Sequence, residues 1–517
     1  MVLSRRLGDH PPSPASRRHQ VAVMDLGANT ARLVLFRQDP EGGFRASLEA
    51  KESPRLGHEI GPDGTLARAA MDRGVQSMIR FRRLLKAWGD PRVIAVATSA
   101  VREAPNRSVF LDRVRKSTGV RVRVLSGLEE ARYAFLGVAT CFAPGNDLIV
   151  DAGGGSVQFI ETRTGRIRRS ESIPLGVLSA SEKFLRKDPP GRGEVAEFRS
   201  AFRDALDLIF RPRLPRGGRL FGIGGTIRSL ARFVIHEKSY PVPQPHGFPL
   251  RERDLEALEE ILTGMDVRER RDLPGFDRSH ADVALAGVIL WQEILRWSGA
   301  AEVRVSRPGI REGIAAEALR ISLPVPAEVL AFRGAAALAR DLGSSLAHGE
   351  EAWEVARLLF QAGRRVNGWN REDGLALEVA ARLHDLGMAI DRWHHPHHSS
   401  YILRHTILPG LTHREVAMAA IAVALHEGDS LPMGSLREWR AVLSEEDLHR
   451  ALQLGQILNA AELLSGRPVH LRRSPRSRVV TMVPSHSWAA AHAPALAAKL
   501  TRKLEPETGL RIVVGHG

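Results

Sequence analysis

The sequence predicts an α/β protein in which one strand–turn–strand unit is used twice, followed by an all-helical region and a small C-terminal α/β tail. Three observations carry this. An Asp-Gly turn between two apolar, β-prone runs opens the chain at 21–36 and returns at 148–160, with Asp25 and Asp151 lying 126 positions apart. Gly-centred turns then alternate with apolar strands and helical periodicity as far as residue 320. After ISLPVP (321–326) the β signals stop, and amphipathic helices dominate to about residue 470.

Taken in order, VAVM (21–24) is β-prone, DLGANT turns, and ARLVLF (31–36) is apolar again. MDRGVQSMIRFRRLLKAW (71–88) has helical periodicity, and VIAVATSAVRE (93–103) starts as a buried strand. VRVLSGLEEARYAFLGVA (122–139) reads strand, turn, helix, with Ser126 and Glu129 at capping-box spacing. After LIV-DAGGGS-VQFI (148–160) comes a helix near 194–210. LFGIGGTIRSLARFV (220–234) is strand, Gly turn, helix, with Thr226 as N-cap. VALAGVILWQEILRWSG (283–299) is an apolar helix, and VRVSRPGIREGIAAEALR (303–320) is strand, turn, helix. The pattern divides the chain into a flexible basic tail (1–20), two α/β domains (21–145 and 146–322), a helical domain (327–470) and a strand–helix–strand tail (472–517).

Composition bounds the function. Hydrophobic residues make up 43% of the 517, enough for sizeable cores and against global disorder. A single cysteine, Cys141, excludes a disulfide framework. No apolar run approaches a membrane span, and prolines follow Arg5 and Arg6 where a signal peptide needs an apolar stretch. The expected setting is therefore cytoplasmic, with no membrane partner. The net charge is +15, and only eight of the 74 basic residues are lysine. An arginine excess favours phosphate-bearing partners, because guanidinium binds phosphate oxygens in pairs. It fits equally an arginine-rich surface that is simply solvated. Aromatics at 5% speak against base-stacking surfaces, and so against nucleic acid.

Three Gly-rich turns carry chemistry: Asp25–Thr30, Asp151–Ser156 and Gly222–Thr226. Such turns bring backbone N–H groups to an anion with no side chain in the way. An Asp at the head of each of the first two can hold Mg²⁺, directly or through water, while the amides hold phosphate oxygens. A GxxxxGK[ST] phosphate loop is absent, and so is GxGxxG in its proper context.

In this arrangement the chain resembles the actin/hexokinase/Hsp70 superfamily, and within it the exopolyphosphatase/guanosine-pentaphosphate phosphohydrolase (Ppx/GppA) family. The stretches that carry the resemblance are MDLGANTARLVLF, ATSAVREAPNR, LSGLEEARYAFLGV, VDAGGGSVQF, SIPLGVLSASEKF, FGIGGTIRSLA and SRPGIREG. They run from residue 21 to about 320. The resemblance implies two actin-like (ribonuclease H-like) domains around a cleft. It implies Glu130, the second Glu of GLEEAR, as the residue that orients or deprotonates the attacking water. Asp25 and Asp151 would position Mg²⁺ or another divalent cation. Gly27, Asn29, Gly153, Gly154, Gly155 and Ser156 would bind phosphate, with Arg102 from AVRE, and Arg55 and Arg311 as lesser candidates of the same kind. The family commonly has Ser after DLG; this chain has Ala28, which removes one hydroxyl contact to phosphate and predicts altered substrate contact.

The helical region contains HDLG (His384, Asp385), the adjacent pair of HD phosphohydrolases, and resembles the HD-like domain of long family members, where it is usually degenerate. His348, His394, His395, His397, His398, His426 and Asp429 surround the pair in sequence. His348 falls about one turn before the position expected for the first ligand, which Glu351 occupies, so a second metal site at His384 and Asp385 is a minor expectation. The resemblance predicts Mg²⁺-dependent release of orthophosphate from inorganic polyphosphate, or from guanosine pentaphosphate (pppGpp), and admits a homodimer. Helical domain and arginine excess favour the polymer. A superfamily kinase, a non-catalytic polyphosphate or alarmone sensor, and an HD hydrolase with a regulatory N-terminal half stay open at this point.

Overall fold

The computed structural model describes residues 2–5, 19–58, 60–61, 63–212, 214–428, 433–473, 478–485 and 487–515. It divides into two units: Met1–His236 with Pro245–Val325, and Glu237–Gln244 with Pro326–Gly517. The boundary after Val325 falls inside the ISLPVP segment.

The first unit opens with β1 (Val2–Arg5), β2 (Gln20–Leu26), β3 (Ala31–Gln38) and β4 (Phe44–Glu52). Then follow α1 (Arg68–Ala87), β5 (Val93–Ala97), α2 (Ser99–Arg102), α3 (Arg107–Thr118), β6 (Val122–Val124) and α4 (Gly127–Ala139). Its second half holds β7 (Leu148–Ala152), β8 (Val157–Arg163), β9 (Arg166–Ile173), α5 (Val177–Phe184), α6 (Arg192–Asp207), β10 (Leu220–Ile223) and α7 (Gly225–Glu237). It closes with β11 (Pro249–Arg251), α8 (Glu252–Thr263), α9 (Val267–Arg271), α10 (Ala284–Ser298), β12 (Glu302–Ser306) and α11 (Ile310–Ala318).

The duplication read from the two Asp turns extends to whole sheets. The first runs β1-β4-β3-β2-β5-β6 and the second β11-β12-β10-β7-β8-β9. In each, an antiparallel three-strand meander (β2-β3-β4, β7-β8-β9) is continued by two strands parallel to its first strand (β5 and β6, β10 and β12). This is the pair of actin-like α/β lobes. β2 is apolar at nearly every position because both of its faces are covered. Ala22, Met24 and Leu26 join a core with α1 and α3, while Val21 and Val23 join another with Tyr133 of α4 and Ile314 and Ala315 of α11. Full burial of each larger side chain contributes about 1.5–3 kcal/mol.

Four sequence expectations change. Val2–Arg5 is not loose tail but pairs antiparallel on β4, covering an edge strand that would otherwise expose its backbone; residues 6–18 lie outside the described residues. The segment 146–322 does not all belong to the second lobe, since its last helix, α11, packs on the sheet of the first. That packing is possible because α4 and α11 cross through glycines: a Cβ on Gly137 would fall on the Gly309 carbonyl, and one on Gly313 on the Tyr133 carbonyl. Thr226 is not an N-cap; the helix already begins at Gly225, and Thr226 is buried in its first turn.

In the second unit, α12 (Ala327–Asp341), α13 (Leu346–Asn367), α14 (Arg371–Leu383), α15 (His395–His405), α16 (His413–Ala424), α17 (Met433–Trp439) and α18 (Glu445–Leu464) precede β13 (Val469–Arg473), β14 (Val479–Pro484), α19 (Ser487–Thr508) and β15 (Arg511–Val514). The fourth change lies here. The terminal α/β segment is not a separate appendage: Val480, Met482, Leu500, Leu504 and Ile512 share one core with the helices. Buried Asp373 ties three helices together, accepting from Arg414 at 2.8 Å and Arg450 at 3.3 Å. Among the described residues no helix is long and apolar enough to cross a membrane.

Candidate active site

Asp25 and Asp151 occupy equivalent positions, next to the last residue of β2 and of β7. The turn beyond each is closed by the same hydrogen bond, Gly27 N–H to the Thr30 carbonyl at 3.0 Å and Gly153 N–H to the Ser156 carbonyl at 2.9 Å. This corrects one expectation: the amides of Gly27 and Gly153 shape their turns and are not free for phosphate. Among the described residues, those of Ala28, Asn29 and Gly154 have no backbone partner, and these residues line the cleft together with Asp25, Asp151 and Ser156. Gly155 backs onto Ser99 instead of lining it. Ala28, 6% exposed, packs between the turns, and a Cβ on Gly154 would come within 3.3 Å of its methyl.

No described side chain hydrogen-bonds or ion-pairs with Asp25 or Asp151. Burial holds the Asp25 carboxyl above its usual range against the pull of Arg311 and Arg32. Burial and the charge of Asp25 push Asp151 up to about 6, although Arg311 and Arg228 act the other way. Two unpaired, mutually repelling carboxylates among oxygen donors form a set suited to a hard divalent cation.

The adjacent glutamates of GLEEAR divide their work. Glu129 caps α4: its amide donates to Ser126 Oγ at 3.3 Å, and its carboxylate accepts from the Ser126 amide at 2.9 Å. Glu130 is thereby left to face the cleft, 3% exposed. Its Oε1 accepts from Arg102 Nη1 at 2.6 Å and its Oε2 from Gln158 Nε2 at 3.1 Å. Arg102 is itself anchored on the Leu125 carbonyl at 3.0 Å. Burial pushes Glu130 up to about 7, with Arg102 lowering it and Asp151 raising it. Arg102 does not line the cleft; it stands behind Glu130.

Arg32, Arg228, Arg307 and Arg311 line the same cleft. Burial and the neighbouring Arg311 bring Arg32 down to about 9 and Arg228 down to about 10. Arg311 Nε is buried without a hydrogen-bond partner. Crowded, desolvated cations with a donor to spare make an anion site. Sequence reading missed Arg32, Arg228 and Gln158. The first two break local rules, which is the signal that could have found them: a charge inside the apolar strand ARLVLF, and a cation in the first turn of a helix, where the dipole disfavours it. Gln158 carries no such mark. Arg55 is not brought to the site; it pairs with Asp282 at 2.8 Å.

His384 and Asp385 lie in the second unit, directly after α14. His348, expected one turn out of place, sits with its Nε2 3.3 Å from that of His384. Asp429 falls outside the described residues.

Residues 34–321 match the model of the Ppx/GppA phosphatase family. The chain belongs to this family. It is a hydrolase with the actin-like fold, and residues 333–478 match the family's domain III. Exopolyphosphatase 1 of Mycobacterium leprae (strain TN) is 30% identical over 301 residues, 57% of this chain and 88% of that protein. The crystal structure of the Ppx/GppA family member from Aquifex aeolicus is 28% identical with a TM-score of 0.50, covering 58% of this chain and 98% of that one. That of an exopolyphosphatase from Cytophaga hutchinsonii ATCC 33406 is 26% identical with a TM-score of 0.53, covering 59% and 99%. Ppx/GppA membership thus rests on the cleft-bearing unit and extends into the helical one.

Proposed function

We propose that this family member is an exopolyphosphatase that hydrolyses the terminal phosphoanhydride of inorganic polyphosphate and releases orthophosphate. One observation favours the inorganic chain over a guanosine nucleotide. The cleft is lined by four arginines and, among the described residues, by no Phe, Tyr or Trp. A phosphate chain needs cations along its length, whereas a base is ordinarily held by a stacking surface.

Asp25 and Asp151 would hold the divalent cation, Mg²⁺ by the chemistry of an all-oxygen donor set. When bound, it supplies charge neutralisation on the phosphoryl oxygens. The remaining steps belong to this chain. Glu130 orients the attacking water and takes its proton; an acid at about 7 is half ionised near neutral pH, where a general base works best. Arg102 and Gln158 fix the carboxylate, one on each oxygen. The amides of Ala28, Asn29 and Gly154, with the Ser156 hydroxyl, meet equatorial oxygens of the terminal phosphoryl group. Arg32, Arg228 and Arg311 hold the phosphates behind it. The deciding experiment is phosphate release from long-chain polyphosphate and from guanosine pentaphosphate, each with and without Mg²⁺. Faster turnover of the nucleotide would overturn the choice of substrate, and turnover unaffected by chelation would overturn the role of the cation.

A further inference from the structure

The helical unit gathers a second set of chemistry-bearing side chains that the reaction above does not use. Five separate segments supply it: His348 on α13, His384 and Asp385 after α14, His395 at the start of α15, His426 just past α16, and Glu462 on α18. Asp385 divides its two oxygens within the cluster. Oδ2 lies 3.6 Å from His348 Nε2, while Oδ1 lies 3.2 Å from His395 Nε2 and 3.6 Å from His384 Nε2. Glu462 Oε2 lies 3.1 Å from His384 Nε2 and 3.2 Å from His348 Nε2. Both His348–His384–Glu462 and His384–Asp385–His426 bring one donor atom each to within 4.8 Å of the others.

A second observation concerns the far side of the rings. Nδ1 of His384, of His395 and of His426 each faces a backbone carbonyl at 2.7 Å, those of Ala381, Arg392 and Val423. A carbonyl only accepts, so each Nδ1 carries the hydrogen and each ring turns its Nε2 inward, the atom that a metal would take. The Nε2 atoms crowd one another: His395 Nε2 meets His426 Nε2 at 3.0 Å, and His384 Nε2 meets His348 Nε2 at 3.3 Å. Glu462 Oε2 is buried between the Nε2 atoms of His384 and His348. Backbone carbonyls that fix the tautomer while every Nε2 converges are the second shell of a metal site.

We propose that the helical unit binds a divalent first-row transition ion of the Mn²⁺, Fe²⁺ or Zn²⁺ class through His348, His384, Asp385 and Glu462, with His395 and His426 beside Asp385 Oδ1. Imidazole nitrogen selects such ions over Mg²⁺ or Ca²⁺, the reverse of the all-oxygen cleft, so the protein carries two metal chemistries in two units. The side chains of His348, Asp385 and Glu462 stay about one-third exposed, which leaves one side of the ion open to an oxygen ligand from solvent.

The test uses the full chain, stripped by dialysis and reloaded with Co²⁺ in excess Mg²⁺. Retained metal is read by mass spectrometry and imidazole ligation by the visible bands of bound Co²⁺. The wild type should keep at least one equivalent. Affinity should fall at least tenfold in Asp385→Asn and in His348→Gln, both partly exposed positions, with circular dichroism unchanged. Asp151→Asn should retain the ion in full. No retention against Mg²⁺, equal retention in Asp385→Asn and His348→Gln, or loss in Asp151→Asn would each overturn the proposal. The last outcome would place the ion in the cleft.

Discussion

Glu130→Gln separates two consequences of one buried carboxyl. The change keeps size and one acceptor, and removes the charge. Glu130 is 3% exposed and is pushed from 4.5 up to about 7. Between those pH values the folded protein holds a proton that the unfolded chain has released, so stability falls as pH rises through that window. The gap corresponds to about 3 kcal/mol, fully lost above pH 7. The variant has no such proton to lose. The hydrogen bond it gives up, to Arg102 or to Gln158, subtracts about 1 kcal/mol at every pH and leaves the pH trend untouched. For a unit of roughly 300 residues, 3 kcal/mol is about 4–5 °C. The Tm of Glu130→Gln minus that of the wild type should therefore grow by that much from pH 4.5 to pH 8, measured by calorimetry without divalent cations. Asp25 and Asp151 titrate in both proteins and largely cancel. Turnover should fall on the order of 10²-fold or more, with substrate binding kept. A Tm difference flat with pH would refute the buried, raised acid; near-wild-type phosphate release would refute its catalytic role.

The remaining predictions concern the same unit. Asp151→Asn should raise the Mg²⁺ concentration needed for half-maximal activity, and an unchanged titration would reduce Asp151 to a turn residue. In Ala28→Ser, a hydroxyl between the two turns should gain a charge-assisted hydrogen bond to substrate and lower KM by about 3–10-fold; an equal or higher KM would contradict the contact. Gly313→Val would drive a branched side chain into the Tyr133 carbonyl. It should lower Tm by an amount equivalent to about 1–3 kcal/mol and impair turnover too, because Glu130 rides on the displaced α4.

What the sequence made legible follows from which interactions are local. The Asp turns, the α4 capping box and the change of periodicity after residue 320 are each decided within a few residues, and the structure keeps them. The roles inside the turns were not legible. Whether Gly27 or Gly154 offers a free amide depends on which one closes the hairpin, a matter of three-dimensional register. Arg32, Arg228 and Gln158 acquire meaning only once two lobes face one cleft. The helical cluster was half legible: His384 and Asp385 stand out as a pair, but Glu462 lies 77 positions later, near the end of a helix with several other polar side chains. His348 was displaced on paper because spacing along a helix does not fix where its neighbour crosses it.

The packing of α11 on the first lobe has a consequence for how the chain comes into being. Helix Ile310–Ala318 supplies Ile314 and Ala315 to the face of the first sheet that carries Val21, Val23, Val34 and Phe36. On a ribosome, β2 and β3 would emerge some 270 residues before this helix. Until residue 318 is made, that apolar face is covered only in part, by α4, and the first lobe stays unfinished, while the second lobe, contiguous from β7 to β12, has all its strands. The order of synthesis and the order of completion are thus reversed, and a fragment ending near residue 145 should be recovered as an aggregate or chaperone-bound, not as a free domain.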